Sequence, residues 1–187
     1  MKEHLKISKT IVLVGLMGAG KTIIGQKLAT RLNFDFVDAD DEIEEAAGCR
    51  ISEIFTRYGE ASFREGEKRV ISRLLVGPAH VLATGGGAFM DEETRLQISK
   101  LAISLWLKAD LEILLRRVAR RSHRPLLNNV NKRETLKRLM KERHPFYSKA
   151  DIIINSGRNS SDVTVEDAIN KLKNFTFKSK HYFPGAI

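Results

Sequence analysis

The chain has 187 residues, 42% hydrophobic and 29% charged, with a net charge of +9. That is enough length for one domain with a sizeable core, and the composition excludes disordered, low-complexity and disulfide-scaffold classes. Cys49 is the single cysteine, which rules out an intrachain disulfide and suits a reducing cytoplasm.

Short Val- and Ile-rich runs alternate with longer amphipathic stretches. Strands are expected at 10–14 (TIVLV), 34–38 (FDFVD), 80–84 (HVLAT), 102–107 (AISLWL) and 151–155 (DIIIN). Helices are expected at 20–32, 60–76, 91–99, 110–121, 132–146 and 164–174. Shorter helical pieces at 40–47 and 51–58 are stopped by Gly48 and Gly59. Apolar strands separated by helices make a parallel sheet covered on both faces, hence a three-layer α/β domain with right-handed crossovers. No linker interrupts residues 1–187, which read as one domain with a core at about 10–174; residues 175–187 lack periodicity and read as a surface tail. No apolar run approaches the roughly 20 residues that span a bilayer. The opening "MKEHLKISKT" lacks the apolar stretch of a secretory signal. A cytoplasmic monomer without a membrane or nucleic-acid partner is the expectation.

"GLMGAGKT", residues 15–22, follows the first strand and opens the first helix. It fits G-x-x-x-x-G-K-[ST], the phosphate-binding P-loop. Gly15, Gly18 and Gly20 let backbone N–H groups turn inward, and the helix N-terminus adds partial positive charge. Lys21 carries a full charge for the β- and γ-phosphates, and the Thr22 hydroxyl is suited to Mg²⁺. The motif fits a kinase, a GTPase or an ATP-driven machine equally.

Asp38 and Asp40 follow the second strand. In an extended segment their spacing points both side chains one way. One would serve Mg²⁺ and the other would orient an attacking hydroxyl; the alternative is a helix cap at Asp40 or Asp41. Arg64 and Glu67 lie three apart on one helix face, compatible with an exposed ion pair or a site pair. Gly85, Gly86 and Gly87 follow the third strand. Consecutive glycines make sense where a ligand lies against bare backbone.

Between Arg116 and Arg143 lie eleven Lys/Arg and two Glu, which accounts for the whole net charge of +9. Arginines around a loop that Pro125 keeps extended read as a lid over a nucleotide, at about 117–131, with Arg124 facing phosphate. Arg116, Arg120, Lys132 and Lys137 read better as a solvated basic face.

Taken together, "GLMGAGKT", "DAD" (38–40), "FREGE", "GGG", "RPLL" and "ERHPFY" resemble the shikimate kinase family in order and spacing, over about residues 10–160. The resemblance implies a nucleoside-monophosphate-kinase-like fold with strand order 2-3-1-4-5. It implies transfer of the ATP γ-phosphate to the 3-hydroxyl of shikimate, with Mg²⁺, in aromatic amino-acid biosynthesis. By position, Gly18, Ala19, Gly20, Lys21, Thr22 and Ile23, with Arg117, Arg124 and Arg158, would bind ATP. Thr22 and Asp38 would serve the metal. Asp40, Arg64, Glu67, Gly85, Gly86, Gly87 and Arg143 would form the shikimate site on helices at about 40–76 and beyond, with Lys21, Asp40 and Arg124 acting in the chemistry. A gluconate kinase, a nucleic-acid-binding P-loop module and a kinase relic with only a regulatory role remain alternatives to test.

Overall fold

A computed structural model describes residues 7–119, 131–157 and 159–181, with side chains as far as residue 175. Strands β1 (Thr10–Val14), β2 (Phe36–Asp38), β3 (Val81–Ala83), β4 (Ala102–Lys108) and β5 (Ile152–Asn155) form one parallel sheet in the order β2-β3-β1-β4-β5. Helices α1 (Lys21–Leu32), α2 (Ala39–Ala47), α3 (Ile51–Leu75), α4 (Glu92–Leu101), α5 (Leu111–Ala119), α6 (Lys132–Tyr147) and α7 (Ser161–His181) pack around it. Among the described residues, no helix is long and apolar enough to cross a membrane.

Burial follows position in the sheet. Every residue of the central β1 is buried, as are the first six of β4. At the edge, β5 alternates buried and exposed residues, leaving Ile153 40% exposed. A central parallel strand has helices on both faces and must be apolar throughout, whereas an edge strand is spared that demand.

A second, smaller cluster of Ile43, Ile54, Phe63 and Val70 joins α2 to α3 away from the main core. Gly48 ends α2 in the left-handed conformation. The two helices expected at 51–58 and 60–76 are the two halves of α3, which breaks at Gly59, whose φ of 79° and ψ of 172° are not helical. The helical segments on either side, 51–58 and 60–75, meet at this break, so Gly59 is the stop that the sequence indicates.

One difference from the sequence expectation concerns the chain's later part. Helix α7 runs on through residue 181, where a tail was expected from 175. Val165, Ala168, Ile169 and Leu172 seat it in the core. Once a helix is nucleated, each further residue adds a backbone hydrogen bond without needing a buried face. Residues 120–130, most of the expected lid and the end of the helix expected at 110–121, lie outside the described residues, as do Arg124 and Arg158.

Gly59 has open space where a Cβ would stand, so only its backbone conformation resists substitution. That conformation is accessible essentially to glycine alone, and Gly59→Ala should destabilise by about 1–3 kcal/mol, read as a lowered urea midpoint with an unchanged slope.

Candidate active site

The sheet register builds the site. Leu13 of β1, Ala83 of β3 and Asp38 of β2 occupy one row across three neighbouring parallel strands. Gly15, Gly85 and Asp40 each stand two residues beyond that row. Three turns distant in sequence therefore meet at one carboxyl edge of the sheet, where α/β proteins bind ligands.

The first turn is the glycine loop. Gly15, Gly18 and Gly20 have φ of 141°, 80° and 98°, which other residues adopt only with strain. Lys21 opens α1 and its Nζ donates to the Gly15 carbonyl at 2.8 Å and the Leu16 carbonyl at 3.2 Å, so the ammonium lies across the loop. Arg117 of α5 braces the loop. Its Nη1 donates to the carbonyls of Gly18 (3.3 Å) and Ala19 (3.1 Å) and to Ser156 Oγ (3.0 Å), and its Nη2 to the Gly157 carbonyl (3.2 Å). Ser156, buried beyond β5, donates in turn to the Ala19 carbonyl at 2.6 Å. Sequence reasoning placed Arg117 near the nucleotide but missed Ser156, since a lone serine after a strand carries no distinguishing signal.

The second turn corrects the sequence expectation. Asp40 does not continue the strand; it lies in the first turn of α2, and Asp38 caps that helix by accepting from the Asp40 N–H at 3.2 Å. The strand geometry invoked for a shared direction therefore ends at Asp38. Both still border one cavity of about 430 Å³ with Gly18, Lys21, Thr22, Gly85, Gly86 and Arg117, because capping folds Asp40 back over the strand end. Thr22 Oγ1 donates to Asp38 Oδ2 at 3.3 Å. That bond orients the hydroxyl proton away and leaves its lone pairs for a cation.

The glycine triplet forms the third turn and touches four charged side chains. A Cβ on Gly85 would stand 2.7 Å from Glu67 Oε1 and 3.2 Å from Asp40 Oδ1. One on Gly86 would stand 3.1 Å from Arg143 Nη1, and one on Gly87 within 2.6 Å of the Arg64 guanidinium. The triplet is there for close approach: any larger side chain would displace the charges packed on it. A second cavity of about 430 Å³ opens beside it, lined by Arg64, Glu67, Gly87 and Arg143 among others.

Arg64 Nη1 donates to Glu67 Oε2 at 2.7 Å, and Nη2 to Glu60 at 3.1 Å. Glu67 is the deeper partner, with 3% side-chain exposure against 30% for Arg64. Its Oε1 has no hydrogen-bond partner among the described residues. Burial pushes the Glu67 carboxyl above its ordinary 4.5; Arg64 and Arg143 pull it back, Asp40 adds to the rise, and burial prevails. Arg64 is raised nonetheless, because Glu67 and Glu60 outweigh its shallower burial. The pair sits too deep to be a surface ornament: removing one partner of a buried pair costs about 3–5 kcal/mol.

Residues 17–173 match the shikimate kinase family model. The chain belongs to the shikimate kinase family. It is 56% identical over 160 residues to the shikimate kinase of Paramagnetospirillum magneticum, covering 86% of this chain and 82% of that one. The Bradyrhizobium diazoefficiens shikimate kinase is 55% identical over 166 residues, 89% and 80% of the two chains. Among solved structures, the Acinetobacter baumannii shikimate kinase in complex with shikimate superposes with a TM-score of 0.85 at 34% identity, covering 95% of this chain and 97% of that chain. A gluconokinase from Sinorhizobium meliloti, at 15% identity and a TM-score of 0.62 over 92% of this chain and 98% of its own, shares the fold alone.

Because the folded chain holds the Glu67 proton more tightly than the unfolded chain, the stability Glu67 contributes is complete below about 4.5 and declines as pH rises through the raised value. Glu67→Gln keeps an acceptor for Arg64 and does not titrate. Thermal midpoints measured across the acid-to-neutral range should show the wild type losing ground to the variant as pH increases.

Proposed function

We propose that this chain transfers the γ-phosphoryl group of ATP to the 3-hydroxyl of shikimate, in the pathway to aromatic amino acids. The convergence of Asp40, Arg64, Glu67 and Arg143 on Gly85–Gly87, beside the glycine loop, carries the reading. A P-loop alone serves many acceptors; two arginines and a carboxylate at its rim suit an acceptor that is at once an anion and a polyol.

The roles follow from the chemistry of each group. Arg64 and Arg143 present guanidinium donors to the shikimate carboxylate, with Glu67 holding Arg64 in place. Asp40 accepts hydrogen bonds from the ring hydroxyls and takes the 3-hydroxyl proton once the new P–O bond is under way. The amides of Gly18, Ala19, Gly20 and Ile23 and the Lys21 ammonium neutralise the triphosphate. Thr22 and Asp38 offer hard oxygen donors that fit Mg²⁺. Bound there, the cation would neutralise charge on the β- and γ-phosphates. Arg124 would contact phosphate from a lid at about 117–131, and Arg117 and Arg158 would flank the adenine. Excluding water matters because water would otherwise compete as acceptor.

The test is ADP production from ATP and Mg²⁺ that depends on shikimate, with gluconate as the competing acceptor; turnover with gluconate alone would overturn the reading. Lys21→Ala should lower kcat about 100-fold or more, as loss of a charge acting on the transition state does. Arg143→Ala should chiefly raise the KM for shikimate, about tenfold or more as for a lost charged hydrogen bond. Steady-state kinetics with each substrate varied in turn separates the two.

A further inference from the structure

Tyr147 closes α6 with no exposed surface, and none of the roles above uses it. Its ring packs on Trp106 of β4, centroids 5.8 Å apart, and beside His144. Its hydroxyl donates to the carbonyl of Gly86, the middle residue of the triplet. The same hydroxyl lies 3.7 Å from where a Cβ on Gly86 would stand, against 3.1 Å for Arg143 Nη1. The Arg143 guanidinium, one helical turn earlier, therefore stands over the same glycine as the Tyr147 hydroxyl.

We infer that Tyr147 is a positioning residue for the acid substrate, its hydroxyl fixing the Gly86–Gly87 peptide beneath the Arg143 guanidinium. The peptide unit is planar, so pinning the Gly86 carbonyl toward Tyr147 aims the Gly87 N–H the opposite way. Without that pin, a loop of three glycines would have many orientations to lose when substrate binds. The aromatic seat on Trp106 makes the pin rigid, because it anchors the hydroxyl to the middle of the sheet. Burial pushes the phenol up to about 12, so it remains a donor throughout the working range of a kinase. A site organised beforehand binds its ligand without that ordering cost.

The inference rests on the proposed reading of Arg64, Arg143 and the triplet as the acid site. Tyr147→Phe keeps the ring and deletes only the hydroxyl. Wild type and variant are compared by kinetics with shikimate and ATP varied separately, by thermal midpoint, and by shikimate titration followed through Trp106, the only tryptophan. The expected result is a rise of about five- to tenfold in the KM for shikimate, with kcat within about twofold and the ATP KM unchanged, as for one lost hydrogen bond. The titration should weaken by the same factor. An unchanged shikimate KM overturns the inference, as does an equal rise in both KM values with a lowered thermal midpoint, since that marks a structural role only. A wild type that neither binds nor phosphorylates shikimate overturns the functional reading itself and this inference with it.

Discussion

A carboxylate buried against bare backbone is the constraint on which the acid side of this molecule depends. Glu67 lies almost wholly out of water, with one oxygen on Arg64 and the other close to Gly85. Desolvating a charge so deeply is unfavourable unless a partner of opposite sign is held near it. The partner is the arginine that faces the cavity. What looks in one dimension like an ordinary ion pair three residues apart is therefore a device for fixing a guanidinium. The glycines opposite are required by the same packing, because even one methyl group there would strike Glu67, Arg143 or Arg64.

The phosphate side is held differently. Its loop is stabilised by backbone conformation, with three glycines at positive φ, and by braces reaching in from far along the chain. Arg117 and Ser156 tie the carbonyls of Gly18 and Ala19 to the end of β5. These bonds take up carbonyls that would otherwise oppose an anion. The two halves meet at the triplet: Gly85 and Gly86 border the cavity beside the glycine loop, while Gly87 borders the other. Three adjacent glycines thus border both cavities.

Much of this was legible in the sequence because local patterns report local physics. Helical and extended periodicity located the strands and most helices, and the P-loop spacing announced phosphate chemistry before any coordinates. The order of motifs was enough to suggest the family. The sequence was less informative where a residue's meaning depends on a distant partner. Asp40 looked like a strand residue, yet the cap formed by Asp38 turns it into the first turn of a helix. The tail's lack of periodicity hid a helix that continues through residue 181.

What the sequence determined by itself was the class of fold, the phosphate loop and the set of charged residues available to a substrate, since each is written in spacing between near neighbours. The tertiary structure alone decided which of those charges share a site. Parallel pairing of β2, β3 and β1 brings Asp40, Gly85 and Gly15 to one edge, and that register arises from long-range packing that no short window of sequence contains. Tyr147 belongs wholly to this second category: only its bond to a glycine 61 residues away distinguishes it from any other buried aromatic.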